Sequence, residues 1–231
     1  MPKIVNIIQA RMGSTRFSGK MMALLQGEPV IDWIFKRCLK SSLVNETWLA
    51  TSDLARDDIL ADRAVANGVH VFRGDEEDVL SRYSAITTAQ NADIVVRVCG
   101  DRPLVDPEAM DLAINFYMEK QPVDLVYNHI SGGGQNWPRG FGVEVLSGQM
   151  ILDAGVKAVS VDHREHVTAY FWQRPDLYTL SPVLIDGAIN PRRPDIKLDL
   201  DTREDLARLN ALTGLGIDCS MVGLLNQNNL S

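Results

Sequence analysis

The chain has 231 residues, 45% hydrophobic and 23% charged, enough to bury a core without disulfides or structural metal and to form one elaborated domain or two small ones. Thirty acids against 23 bases leave a net charge of −7, which weighs against a general nucleic-acid binder. No run approaches the roughly 18 apolar residues of a membrane span, no leader pattern opens the chain, and Cys38, Cys99 and Cys219 have neither disulfide nor metal-ligand spacing, so a cytoplasmic protein with reduced thiols is expected.

In chain order, strands are predicted at Lys3–Gln9, Glu46–Thr51, Val69–Phe72, Asp93–Val98 and Asp124–Tyr127, several of them near-continuous apolar runs of the buried parallel type. Helices alternate with them. Pro29 opens one that carries Val30, Ile31, Ile34, Phe35 and Cys38 on one face. Arg56–Asn67 is the next, stopped by Gly68, followed by Glu76–Gln90 and by a helix from Pro107 to about Lys120. Beyond residue 128 the pattern loosens into a glycine-rich polar stretch with Gly132-Gly133-Gly134 and Pro138-Arg139-Gly140. Then come a strand at Gly142–Leu146, a helix at Gln149–Lys157, one helix over Asp162–Gln173, a strand at Leu177–Leu184, a strand at Ile196–Leu200 and a helix at Thr202–Leu212. The tail Leu224–Ser231 is expected to fray. Strand–helix alternation gives an α/β fold: a mostly parallel twisted sheet flanked by helices, with a small α+β insertion lobe. The domain reading is 1–128 with 191–231 as the main α/β unit, and 129–190 as an insertion or small second lobe.

Ligands of such sheets sit at the C-terminal strand ends, which directs attention to the loop after the first strand. Gln9-Ala10-Arg11-Met12-Gly13-Ser14-Thr15-Arg16-Phe17-Ser18-Gly19-Lys20 holds two glycines, hydroxyls and three cations. Glycines let backbone N–H groups approach phosphate oxygens, and the cations neutralise them. The loop is not a Walker A sequence: the glycine spacing is one residue too long, and Met21 stands where a Ser or Thr would bind Mg²⁺. A solvated basic loop is the plainer alternative, and the concentration of cations in an acidic chain favours phosphate.

The run from Ile8 to Arg16 with Gly19-Lys20 resembles the signature of sugar cytidylyltransferases. The likeness is to the spore-coat polysaccharide biosynthesis protein F type, related to the acylneuraminate and 3-deoxy-manno-octulosonate cytidylyltransferases. It continues through Val71-Phe72-Arg73-Gly74, Asp78–Tyr83, Val96–Pro107, Pro138-Arg139-Gly140, Arg164–Thr168 and Leu198–Leu206, and so spans nearly the whole chain in order. Ser18 replaces a usual Pro, and Cys99 and Arg102 replace a usual Thr and Cys, which puts an extra cation beside Asp101.

The resemblance implies a Rossmann-like, GT-A-like nucleotidyltransferase that uses CTP and Mg²⁺ to activate a sugar, acidic and of eight or nine carbons, giving a CMP-sugar and pyrophosphate. It also implies that 1–128 with 191–231 binds the nucleotide and that 129–190 serves sugar binding, a homodimer or both; charge and hydropathy had already set aside nucleic-acid and membrane partners. Asp101 and Asp201 become the metal ligands; alone, the first reads as a turn residue before Pro103 and the second as a helix cap. Ala10, Arg11, Gly13, Ser14, Arg16, Lys20, Arg73, Gly74, Asp78 and Arg82 become nucleotide-binding, although Asp78 and Arg82 alone would be an ordinary helix ion pair. Arg11, Lys20 and Asp199 are the catalytic candidates, Asp199 as a general base. Arg139, Glu165 and His166 are the sugar-binding candidates, with an interface ion pair of Arg164 and Glu165 as the alternative. Arg97 interrupts a buried strand and requires an anionic partner, a carboxylate or the ligand. His163 and His166 read equally well as structural or surface residues, and His70 and His129 carry no role. The competing functions are a glycosyltransferase that consumes a nucleotide sugar and a non-catalytic nucleotide-binding subunit. The first usually carries Asp-x-Asp in mid-chain, where this chain has Asp101-Arg102-Pro103; intact Lys20, Asp101 and Asp201 weigh against the second.

Overall fold

The computed structural model describes residues 1–128, 137–183 and 195–228. The glycine run Gly132–Gly134, His129, Pro191 and Pro194 lie outside the described residues. The strands are β1 (Ile4–Gln9), β2 (Leu24–Leu25), β3 (Glu28–Pro29), β4 (Glu46–Ser52), β5 (His70–Gly74), β6 (Ile94–Cys99), β7 (Leu125–Tyr127), β8 (Glu144–Ser147) and β9 (Leu180–Pro182). The helices are α1 (Val30–Cys38), α2 (Asp58–Ala66), α3 (Val79–Gln90), α4 (Pro107–Glu119), α5 (Gly148–Lys157), α6 (Val161–Glu165), α7 (Ala169–Trp172), α8 (Arg203–Asn210) and α9 (Met221–Gln227).

Seven strands form one sheet in the order β5-β4-β1-β6-β8-β7-β9, and β2 and β3 make a separate hairpin. Only β8 runs against its neighbours, so the sheet is mostly parallel, as expected. Ile7 of the central β1 lies between Trp48 of β4 and Arg97 of β6. Strand alternation splits the core. Ile4, Ile8, Val96 and Val98 face α1, α2 and α4, while Val5, Ile7 and Val95 face α3, α5 and α7. Each fully buried aliphatic side chain contributes about 1.5–3 kcal/mol relative to exposure.

Four sequence expectations are corrected. Ile196–Leu200 is not a sheet strand among the described residues: it meets the chain through one bridge, Arg139 to Lys197, and through Leu200 N donating to the Asp101 carbonyl at 2.7 Å. The place beside β6 is taken by β8, so the 129–190 stretch contributes β8 and β9 to the common sheet. The helix expected over Asp162–Gln173 is two. Arg164 is drawn to Asp78 at the N-cap of α3, while Thr168 and Trp172 donate to the buried Glu144 at 3.0 Å, and one straight helix cannot serve both. The chain therefore leaves helical geometry at His166 (φ −105°, ψ 58°). Part of the tail is ordered: Leu224 and Leu225 of α9 are buried, and the buried Arg37 fastens the preceding segment through the carbonyls of Ile217 and Cys219, both at 2.9 Å.

Candidate active site

A cleft of about 450 Å³ opens at the C-terminal ends of β1 and β6. Its lining includes Gln9, Ala10, Arg11, Gly13, Ser14 and Arg16 from the first loop region, joined by Lys20. Arg82 of α3, Arg97 and Asp101 at β6, and Glu165 with His166 at the α6 end complete the walls.

The loop is held by groups far away in sequence. Met12 N donates to the buried Asp57 carboxylate at 2.7 Å, which Ser52 also engages. Gly13 lies close to the Glu76 and Arg56 side chains: a Cβ would come 2.6 Å from Glu76 Oε1, so a larger residue would require that carboxylate to move. Gly19 has φ 72°, the left-handed region that glycine enters without penalty. A single 3₁₀ turn, Lys20–Met22, comes next and leads into the β2–β3 hairpin; no α-helix starts directly after the loop. What this loop offers an anion is therefore backbone N–H groups and cations, without a helix terminus.

Each cation of the loop faces an acid. Arg11 Nη2 meets Glu165 at 3.1 Å and its Nη1 lies 3.7 Å from Glu76. Arg16 lies 3.0 Å and Lys20 4.0 Å from Asp201 Oδ1, and Lys20 also donates to the Leu200 carbonyl at 3.1 Å. Asp201 does not cap α8. Thr202 and Asp205 do so through a reciprocal capping box, which leaves the Asp201 carboxylate to Arg16 and Lys20, although Asp201 does not itself line the cleft. The Leu200–Asp101 backbone bond sets the two aspartates' segments side by side. One oxygen each of Asp101, Asp199 and Asp201 is buried without a hydrogen bond. The charged neighbour of the Asp101 oxygen is Arg102, at 3.9 Å, whereas the Asp201 oxygen is the one paired with Arg16 at 3.0 Å; both are hard oxygen donors of the kind a divalent cation takes, Asp201 once its ion pair is exchanged. Among the described residues no set of three or more His, Cys, Asp or Glu side chains could enclose a metal alone.

Other predicted residues stand behind the cleft. Arg73 pairs with Asp58 at 2.7 Å and donates to the carbonyls of Ser52 and Leu54. Gly74 packs under Arg82, and Asp78 caps α3 through Ser81 N while binding Arg164. None of Arg73, Gly74 and Asp78 lines the cleft. Asp78 and Arg82 are not an ion pair: Arg82 turns to the carbonyls of Asp75 and Glu76. Burial pulls the Arg82 guanidinium below its ordinary value, and the neighbouring Arg11 pushes the same way. Arg139 pairs with Asp199 at 2.6 Å, and neither lines the cleft. Arg102 donates to the Gly142 carbonyl at 2.6 Å and reaches Asp101 at 3.9 Å.

Sequence reasoning missed three participants. Lys197 lies among Asp205 (2.8 Å), Asp201 (3.6 Å) and Asp199 (3.9 Å); the alternation Lys197-x-Asp199-x-Asp201 on one extended face was its signal. Glu76 and Gln9 carried no such signal. The partner demanded by Arg97 is Glu144 on the adjacent β8, at the register position directly opposite.

A mostly parallel sheet with a cation-rich loop and Asp101 at its strand ends, and with Asp201 held alongside, defines a nucleotide-binding α/β protein of the nucleotidyltransferase fold. The sequence matches the cytidylyltransferase family over residues 5–229. It is 34% identical to the spore coat polysaccharide biosynthesis protein SpsF of Bacillus subtilis (strain 168), over 99% of this chain and 96% of that one. A 3-deoxy-manno-octulosonate cytidylyltransferase of Geotalea daltonii is 39% identical across 49% of this chain and 44% of its own. A cytidylyltransferase structure from Leptospira borgpetersenii superposes with a TM-score of 0.89 at 26% identity, covering 98% of this chain and 93% of that one. The chain belongs to the cytidylyltransferase family and is a nucleotidyltransferase. No helix among the described residues is long and apolar enough to cross a membrane.

Proposed function

We propose that the protein uses CTP to activate an acidic sugar of eight or nine carbons, releasing pyrophosphate and a CMP-sugar for a surface polysaccharide or glycoprotein. The observation that carries this reading is the convergence of Arg11, Arg16, Lys20 and Asp101 in one cleft, with Asp201 paired to Arg16 beside it. Asp101 and Asp201 would hold Mg²⁺, which when bound neutralises phosphate charge and orients the reacting group. The sugar hydroxyl oxygen bonds to the α-phosphorus, the bond from that phosphorus to the bridging oxygen of the β-phosphate breaks, and the hydroxyl proton passes to water. Arg16 and Lys20 exchange Asp201 for phosphate oxygens, and Arg11 exchanges its two glutamates. These cations offset the charge that develops on the transferring and leaving groups, where most catalysis of phosphoryl transfer arises. Ala10, Gly13 and Ser14 supply the backbone cradle, and Arg82 closes the nucleotide side. Arg73, Gly74 and Asp78 act as its supports. Asp199, held by Arg139 and Lys197, anchors rather than takes the proton. Glu165 and His166 face the sugar, with Arg139 supporting the segment beneath the aspartates.

A homodimer is supported by the exposed apolar group Val156, Val159, Val161 and Leu177, with Val159 at 92% exposure. The substrate CTP is consistent with a cytoplasmic site of action. The test is a thermal-shift comparison of CTP, UTP, GTP and ATP with Mg²⁺, followed by pyrophosphate release with candidate sugars. CTP should stabilise the protein most; a clear ATP preference would return it to nucleotidyltransferases at large.

A further inference from the structure

We infer that Gln9 and Arg97 together form the clamp that receives the carboxylate of the sugar, an assignment that rests on the acidic-sugar reading of the active site. Arg97 sits in the middle of β6, where an unpaired buried charge would be costly. The protein has spent two of its three nitrogens. Nε donates to Gln9 Oε1 at 3.0 Å, and Nη1 donates to Glu144 and, at 3.3 Å, to Thr168. Among the described residues nothing meets Nη2, which is not sealed from solvent, and Arg97 lines the cleft.

The same contacts fix the amide of Gln9. Arg97 Nε can only donate, so Gln9 must turn its oxygen toward it, and the Tyr83 hydroxyl lies against that oxygen at 3.3 Å. Gln9 Nε2 is thereby directed elsewhere. It has no partner among the described residues, and Gln9 also lines the cleft. Gln9 and Arg97 occupy adjacent strands on one sheet face and are already bonded to each other. Their unspent nitrogens therefore form neighbouring donors beneath the wall where α3 supplies Arg82 and α6 supplies Glu165 and His166. Arg16 and Lys20 are engaged elsewhere, with Asp201.

Two neighbouring N–H donors, one of them charged, match the two oxygens of a carboxylate. Glu144 keeps the guanidinium charged and oriented, and it is fastened in turn by Thr168 and Trp172. That network also secures the α6–α7 corner bearing Glu165 and His166, so clamp and wall are built on one support.

The test uses two conservative variants. Gln9→Glu keeps an oxygen for Arg97 Nε and replaces the free donor by an acceptor. Arg97→Lys keeps the charge for Glu144 and removes the fork. With saturating CTP and Mg²⁺, eight- and nine-carbon 2-keto-3-deoxy sugar acids are compared with their carboxamides by pyrophosphate release, and CTP binding is followed by thermal shift. Both variants should lose about tenfold or more of the preference for acid over carboxamide, chiefly in KM, with CTP binding retained. Variants that keep the parent's preference would overturn the clamp and leave Arg97 a core ion pair. A parent that binds CTP yet favours no acid over its carboxamide would remove the acidic-sugar reading, and the clamp with it.

Discussion

The two halves of the sheet treat the same residue types differently. In the β5-β4-β1-β6 half, the cations of the first loop meet acids at the cleft and just behind it: Arg16 and Lys20 lean on Asp201, and Arg11 on Glu76 and on the cleft-lining Glu165. Where that half joins the one that holds β8, β7 and β9, the charges are locked into ion pairs that tie elements together, Arg97 of β6 with Glu144 of β8 and Arg164 of α6 with Asp78 at the start of α3. The first pattern is a set of contacts that a polyanion can replace; the second is a scaffold that fixes the wall opposite. A charged residue's role here follows from how completely the protein itself has satisfied it.

The contrast can be broken most sharply at Asp101. Asp101→Asn should lower turnover by on the order of 10³-fold while the thermal melt stays near that of the parent. Excess Mg²⁺ should restore part of the rate, and a folded variant with near-normal turnover would take Asp101 out of the site. Lys20→Ala should cost about 10²–10³-fold. Lys20→Arg should recover only part of that, because a fork does not reproduce a compact point charge; wild-type steady-state kinetics in Lys20→Ala would contradict the phosphate role. Arg164→Ala probes the scaffold. It should cost about 1–2 kcal/mol, or about 2–6 °C in Tm, with CTP binding retained. Weakened CTP binding at unchanged Tm would mean that the pair serves the ligand directly.

The smallest expected effect is one of pH. Burial alone would lift the Asp205 carboxyl, but donors from Lys197, the Asp201 backbone, Arg208 and the Thr202 backbone outweigh it and hold the group well below the usual carboxylate range. Such a group stabilises the fold above its unfolded value of about 3.9, and that contribution is lost as pH falls through the folded value. Melts from pH 6 to pH 2 should therefore decline, and Asp205→Asn should flatten the decline. An unchanged slope in the variant would show that other carboxyls govern acid stability.

Much of this was legible in the sequence. Apolar runs such as Ile94–Val98 report burial on both faces, and Pro29, Gly68 and Pro107 mark helix ends by backbone chemistry that needs no tertiary partner. The first loop's cations and Asp101 could be read because a strand end is a fixed place in such a fold. What stayed hidden depends on distant pairing. The break at His166 follows from Glu144 pulling on Thr168 and Trp172, and the orientation of Arg82 from carbonyls that its own spacing to Asp78 does not announce. Ile196–Leu200 has a strand's composition, yet β8 takes the position beside β6, and strand propensity cannot say which segment wins an edge.

Because Thr202 and Asp205 cap α8 between themselves, the start of that helix does not depend on the residue before it. Asp201 can therefore be exchanged over evolutionary time without unseating α8, and α8 can drift in composition without moving the carboxylate that faces Arg16 and Lys20. Carboxylate and architecture at this corner are separately heritable, so a descendant could lose the acid there and keep the fold.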